Sequence, residues 1–129
     1  MVVRSTLIAM IVVAALSVCV CAGCLFSVTR TVDSMQTLRV RAAEFVRAGD
    51  DRQAMEELVR LANRWKDAAP ILEILTSHDD LHDATREILD AQVCLEAGDF
   101  DECNRVLSQL GETLMHIGDM EQIRLSNLY

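Results

Sequence analysis

One proline and five glycines are spread over 129 residues, and no run of β-branched side chains occurs after the first thirty. Strands have little to work with in such a chain, so an all-helical fold is the expectation. Charge is missing too, in one place: nothing ionisable as Asp, Glu, Lys or Arg stands between Arg4 and Arg30. There is no Gly-rich phosphate loop, no G-x-S-x-G elbow and no Cys–His pair at dyad spacing. No catalytic residue and no cofactor is assigned on that basis, and an enzyme is not expected.

What fills the uncharged gap is Leu, Ile, Val, Ala, Met, Cys and Phe, from Ser5 to Thr29. About 20 apolar residues at 1.5 Å each cross a hydrocarbon core of roughly 30 Å. A helix also satisfies its own backbone polar groups, as lipid requires. Residues 1–30 are therefore expected to form a transmembrane anchor, with the bilayer as the first partner. Residues 31–129 are left for one soluble helical domain with a single modest core. A cleaved N-terminus is the alternative. Ala22-Gly23-Cys24 resembles the end of a lipobox, which would make Cys24 an acylated first residue. Cys21 stands where such boxes carry Leu, and Leu25, Phe26 and Val28 prolong the apolar run past the cut. That favours an uncleaved span. Arg30, Arg39 and Arg41 outnumber Arg4 as flanking charges, which by the positive-inside rule leans toward a cytoplasmic domain. Short-tailed N-terminal anchors commonly export the domain C-terminal to them, and an extracytoplasmic domain is expected here.

The remaining charge is unevenly placed. Residues 31–66 carry seven basic and six acidic side chains, whereas residues 67–129 carry three basic and fourteen acidic ones. A surface so anionic repels phosphate backbones, which argues against nucleic acid as a partner.

Apolar residues recur at helical spacing. Met35, Leu38, Ala42, Phe45 and Val46 make one stripe; Met55, Leu58, Leu61, Ala62 and Trp65 make the next. Pro70 predicts an end or a kink near Asp67. Ile71 to Leu75 reads as a short apolar continuation, bounded by Thr76-Ser77-His78-Asp79. Leu81, Ala84, Ile88, Ala91 and Leu95 form a third stripe, and a fourth runs from Phe100 to Gly118. Met120, Ile123 and Leu128 suggest a final short helix.

Ala48-Gly49-Asp50 recurs as Ala97-Gly98-Asp99, an offset of 49 residues. At the same offset Ala54 matches Cys103, Leu58 matches Leu107, Leu61 matches Leu110 and Trp65 matches Leu114. Each copy reads as a helix, a turn whose Gly supplies the left-handed stop and Asp the next N-cap, and a second helix. Two hairpins bury their apolar faces by stacking, so a four-to-five-helix, tetratricopeptide-like domain is expected.

Among polar candidates, His78-Asp79-Asp80-Leu81-His82 places two imidazoles at i and i+4, with Asp83 as a further oxygen donor. The order H-D-x-x-H is similar to a zinc-protease helix with Asp in place of Glu. The shorter Asp, the nearby helix boundary and the isolated His116 favour capping and surface roles. Cys94 and Cys103 flank the second turn; core filling and a disulfide are both open, and their counterparts Phe45 and Ala54 favour filling. Trp65, between Arg64 and Lys66, reads as a core side chain because Leu58, Leu61 and Ala62 share its stripe.

An N-terminal span, Leu61-x3-Trp65, His78-Asp79-x-Leu81, a long amphipathic helix and a terminal Leu125-Ser126-Asn127-Leu128 together resemble the bacterial family called domain of unknown function 4363. Leu128 stands where Ile is usual in that ending. The resemblance implies a short single-pass membrane protein with a helical domain. It marks Trp65, His78 and Asn127 as positions to test and supplies no activity. The expectation is a membrane-anchored interaction or accessory module whose groove between hairpins takes a segment of a protein partner. The alternative is a metal-binding protein or metal-dependent hydrolase centred on His78 and His82.

Overall fold

The computed structural model describes residues 2–128, with side chains from 2 to 119. Four helices follow one another: α1 (Val2–Arg47), α2 (Asp51–Leu75), α3 (His78–Glu96) and α4 (Phe100–Leu128). No strand occurs among the described residues.

The turns explain the register. Gly49 and Gly98 adopt φ of 75° and 76°, a left-handed conformation that costs glycine nothing. The amide of Asp50 donates to the Phe45 carbonyl at 2.9 Å and that of Gly49 to Val46 at 3.1 Å. Asp99 donates to Cys94 at 2.9 Å and Gly98 to Leu95 at 3.0 Å in the same pattern. Each aspartate then opens the next helix: Asp50 accepts from the Gln53 amide at 3.1 Å, and Asp99 from that of Glu102 at 3.2 Å. One three-residue unit thus closes a helix and caps its successor.

The 49-residue correspondence holds in burial as well. Ala54 and Cys103, Leu58 and Leu107, and Leu61 and Leu110 are all completely buried, and Trp65 and Leu114 are buried at the matching depth. Met35, Ala42, Ala84, Ile88, Ala91 and Ile117 join them in one core.

The two hairpins stack, α2 against α3, and α1 also packs against α4. Gln36 Nε2 donates to the Gly111 carbonyl at 2.9 Å, and Val32 lies beside Gly118, so these two helices run antiparallel. An open tetratricopeptide array leaves its first and last helices apart. Here the ring closes, because two copies alone have no further neighbour to cover their outer faces. The architecture is an up-down-up-down bundle.

Three expectations change. Pro70 neither ends nor divides α2, which continues to Leu75. The proline is exposed, and the carbonyl its missing N–H leaves unbonded, that of Lys66, belongs to an exposed residue that water can serve. Gly118 does not stop α4, so the separate helix expected from Met120, Ile123 and Leu128 is instead the continuation of α4; those side chains lie outside the described ones. Gly49 and Gly98 have nothing near the Cβ position, whereas a Cβ at Gly118 would lie in van der Waals contact with Val32, at 3.7 Å. Finally, no joint separates span from bundle. Helix α1 runs unbroken through residue 30, and Val28 is already fully buried.

The first half of α1 is long and apolar enough to cross a membrane, and none of that stretch is buried inside the protein. Leu7, Ile8, Ile11 and Leu16 all face outward.

Candidate functional site: the groove between α2 and α3

Beside its core stripe, α2 carries a second line of residues at helical spacing: Met55, Val59, Ala62, Lys66 and Ala69. Across from it, α3 presents Thr85, Ile88, Leu89 and Glu96. The two lines do not close. A cleft of about 660 Å³ opens between Met55, Val59 and Arg60 of α2 and Leu95 and Glu96 of α3. One of about 280 Å³ follows, lined by Ala62, Trp65, Ala69, Thr85, Ile88 and Leu89. A third, of about 210 Å³, runs from Trp65 and Ala69 to Glu73, His78 and His82. Together they trace the whole seam. Its small residues, Ala62, Ala69 and Thr85, leave room where larger ones would have met.

The floor is apolar and the rim is charged. Leu89 is 55% exposed on the α3 side, and Val59 is exposed on the α2 side. Arg52 and Glu56, which line the first cleft, pair across 3.8 Å on the surface. Trp65 forms the floor between the second and third clefts. Its ring is buried and its Nε1 donates to Thr85 Oγ1 at 2.9 Å. Thr85 Oγ1 in turn donates to the Leu81 carbonyl at 2.8 Å, so the hydroxyl is fixed from both sides.

Helix α3 begins at His78, and His78 and His82 line the same cleft, so the shared face of the i, i+4 pair is real. Asp83 does not join them; its carboxylate accepts from Arg86. Among the described residues, no group of three or more His, Cys, Asp or Glu side chains is placed to hold a metal ion. His116 is not isolated: its Nδ1 meets Asp80 Oδ2 at 3.2 Å across α3 and α4.

Other polar contacts lie on the far sides of the bundle and were not legible as sites. Glu87 is buried against α4, where Thr113 Oγ1 lies 3.0 Å from each carboxylate oxygen. Burial pushes its carboxyl above the usual range, against the opposing pull of the Thr113 hydrogen bond. Glu57 is only 6% exposed; Oε1 accepts from Arg60 at 2.8 Å, while Oε2 has no hydrogen-bond partner among the described residues. Cys94 and Cys103 are free thiols. Cys103 is wholly buried, its Sγ donates to the Ala91 carbonyl at 3.4 Å, and burial pushes its pKa up to about 11. Burial likewise raises that of Cys94. Both behave as core filler rather than as reactive thiolates.

What the arrangement offers chemically is a long apolar trough with a polar edge. The family whose description reads Domain of unknown function (DUF4363) matches residues 24–128. No curated protein and no solved structure matches the chain. The matched segment begins at Cys24, the first residue of α1 that the bundle partly covers.

Proposed function

From the premise that this chain belongs to the DUF4363 family, we propose a membrane-anchored helical module that binds another protein and catalyses nothing itself. Helix α1 is retained as a single-pass anchor, the bundle lies outside the cytoplasm, and the α2–α3 groove receives a helix or extended segment of the partner. The observation that carries this reading is the unclosed seam, with Val59 and Leu89 exposed along an apolar floor. A groove of that kind suits an amphipathic helix presenting anchors at i, i+3 and i+7. The acidic second half of the chain argues against nucleic acid as the occupant.

The test is site-specific photocrosslinking in native membranes from position 89, with exposed Gln109 on α4 as the control. A discrete adduct from 89 alone, lost when Val59→Asp is added, supports the groove. Equal labelling from both positions removes it. Cleavage of the bundle by protease added to intact cells tests the sidedness.

Metal binding remains a second reading because His78 and His82 line one cleft with Glu73. Stoichiometric zinc in the purified protein that disappears in His82→Ala would support it. A melting curve unchanged by chelator would remove it.

A further inference from the structure

The lower end of the bundle lies at the same height as the end of the apolar span. Ile71 of α2 shares a small cleft with Ser27, Val28 and Thr31 of α1. The two helices are antiparallel, so Ile74, three residues further on, sits about 4.5 Å nearer the N-terminus of α1. That places it level with Leu25 and Phe26. The uncharged stretch Ser5–Thr29 measures about 37 Å as a helix, some 7 Å more than a hydrocarbon core needs. As the span settles between its two limits, 5–24 and 10–29, Ile74 falls from about 1.5 Å outside to about 6 Å inside the boundary of the acyl layer.

The side chains at that height are not those of a water-facing base. Ile74 is 83% exposed, Phe26 67% and Ile71 50%, although Leu72 between the two isoleucines is buried. Helix α2 thus turns apolar groups both inward and outward in its final turn. Elsewhere most of its outward positions are charged or polar, as at Arg52, Gln53, Glu56, Arg60, Asn63 and Arg64, with Val59 the apolar exception. Glu73 and Asp79 are exposed at the same end and set a limit to depth, because a carboxylate tolerates headgroups but not hydrocarbon.

We propose that the end of α2, with Ile71 and Ile74 near the height of Phe26 of α1, is seated in the headgroup–acyl boundary of the bilayer that α1 spans. The occupant of this apolar patch is lipid with zwitterionic headgroups, since Glu73, Asp79 and Asp119 outnumber Arg30 there and repel anionic ones. Seating α2 as well as α1 fixes the bundle's tilt, so that the α2–α3 groove meets a partner at a set distance from the membrane. The inference rests on the retained anchor proposed above.

The experiment uses the full-length protein in phosphatidylcholine vesicles, with Trp65→Phe removing the native fluorophore. Ile74→Trp reports on the proposed seat, and Val93→Trp, about 22 Å up α3 from His78, is the control. Lipid brominated in its acyl chains should remove at least about half the emission of Ile74→Trp, as expected for a ring some 5–10 Å into the boundary. Val93→Trp should be unaffected and remain open to iodide. Ile71→Trp repeats the measurement at a second position should the first variant fold poorly. Ile74→Trp quenched by iodide and not by bromolipid overturns the proposal. So does Ile74→Trp protected from both quenchers, which would mean that protein covers the patch. Failure of the anchor is distinguishable: a protein with no membrane attachment would not float with the vesicles, and one cleaved before Cys24 would have an intact mass lacking the residues that precede it.

Discussion

The hairpins meet along two seams, α1 with α4 and α2 with α3, and they close to different extents: the first leaves a cleft of about 190 Å³, between Val32 and Gln36 of α1 and Met115 and Gly118 of α4, and the second leaves three along its length. At the tighter seam Gly111 faces Arg39, whose Nε donates to Gln36 Oε1 at 2.6 Å while Gln36 donates to the Gly111 carbonyl. Small residues occur at the wider seam too, at Ala62 and Ala69, but there Lys66 and the exposed Leu89 line the cleft without closing it. A small residue therefore does not by itself bring two helices together, and the α2–α3 side keeps a longer trough than the α1–α4 side.

The comparison breaks most visibly at Trp65, the one large side chain that fills the floor of the open seam. Trp65→Ala should cost about 3–5 kcal/mol in denaturant unfolding. Its counterpart in the other hairpin, Leu114→Ala, should cost about 2–5 kcal/mol. A near-neutral Trp65→Ala would mean that the ring belongs to a ligand surface, and the seam would then be open to its depth.

Leu89→Asp should sharpen the contrast from the other side. The residue is more than half exposed, so unfolding should change by no more than about 0.5 kcal/mol. Partner crosslinking from position 59 should nevertheless be lost. A substitution of the same kind at exposed Val40 on α1 should leave crosslinking intact.

How far the two seams were readable beforehand depends on sequence distance. The Ala-Gly-Asp units act within six residues, and their hydrogen bonds follow from local conformation alone, so both hairpins and the matched pairs Leu58–Leu107 and Leu61–Leu110 were legible. So was the core role of Trp65, from its stripe. Pro70 and Gly118 misled for the same reason in opposite surroundings. A local rule predicts a break, but exposure relieves the proline and packing against Val32 holds the glycine in helix. Contacts between helices leave no mark in periodicity. Nothing near Glu87 announces Thr113, nothing near Asp80 announces His116, and the meeting of His78 and His82 with Glu73 in one cleft depends on how α2 and α3 diverge. The groove is a failure of packing, and a sequence records which residues are small more readily than which gaps stay unfilled.

A smaller effect belongs to Glu87, which faces α4 away from either seam. Burial raises its carboxyl above the unfolded value, so the native state holds this proton more tightly than the unfolded chain does. The associated stability is complete below the ordinary carboxylate range and is lost as pH rises through the raised folded value. Asp83 and Asp90 add to the rise, while Arg86 and Thr113 oppose it. Glu87→Gln keeps an oxygen for Thr113 and should remove that slope. The variant should gain on the wild type as pH is raised from 4 to 7 in parallel melting curves. A wild type whose stability climbs more steeply than the variant's over that range would place the shift in the opposite direction.

The smallest change expected is at Gly111→Ala, and its sign decides what seals the α1–α4 seam. A Cβ there would lie 2.7 Å from the Arg39 guanidinium, too close to coexist with it. The obstructing atoms are the far end of a flexible side chain, not backbone, so Arg39 can move aside. Alanine also favours the helix by about 1 kcal/mol over glycine. If the seam is held by the core beneath it, through Met35, Leu110 and Leu114, the variant should be neutral or slightly more stable. If the covering arginine itself closes the joint, displacing it should cost more than alanine returns, and Arg39→Ala alone should reproduce the loss. The near-neutral result is expected, because Met35, Leu110 and Leu114 are completely buried whether or not the arginine moves aside. The arginine then covers a contact that Met35, Leu110 and Leu114 make beneath it, and what the α2–α3 trough lacks is facing side chains that meet, not a covering one.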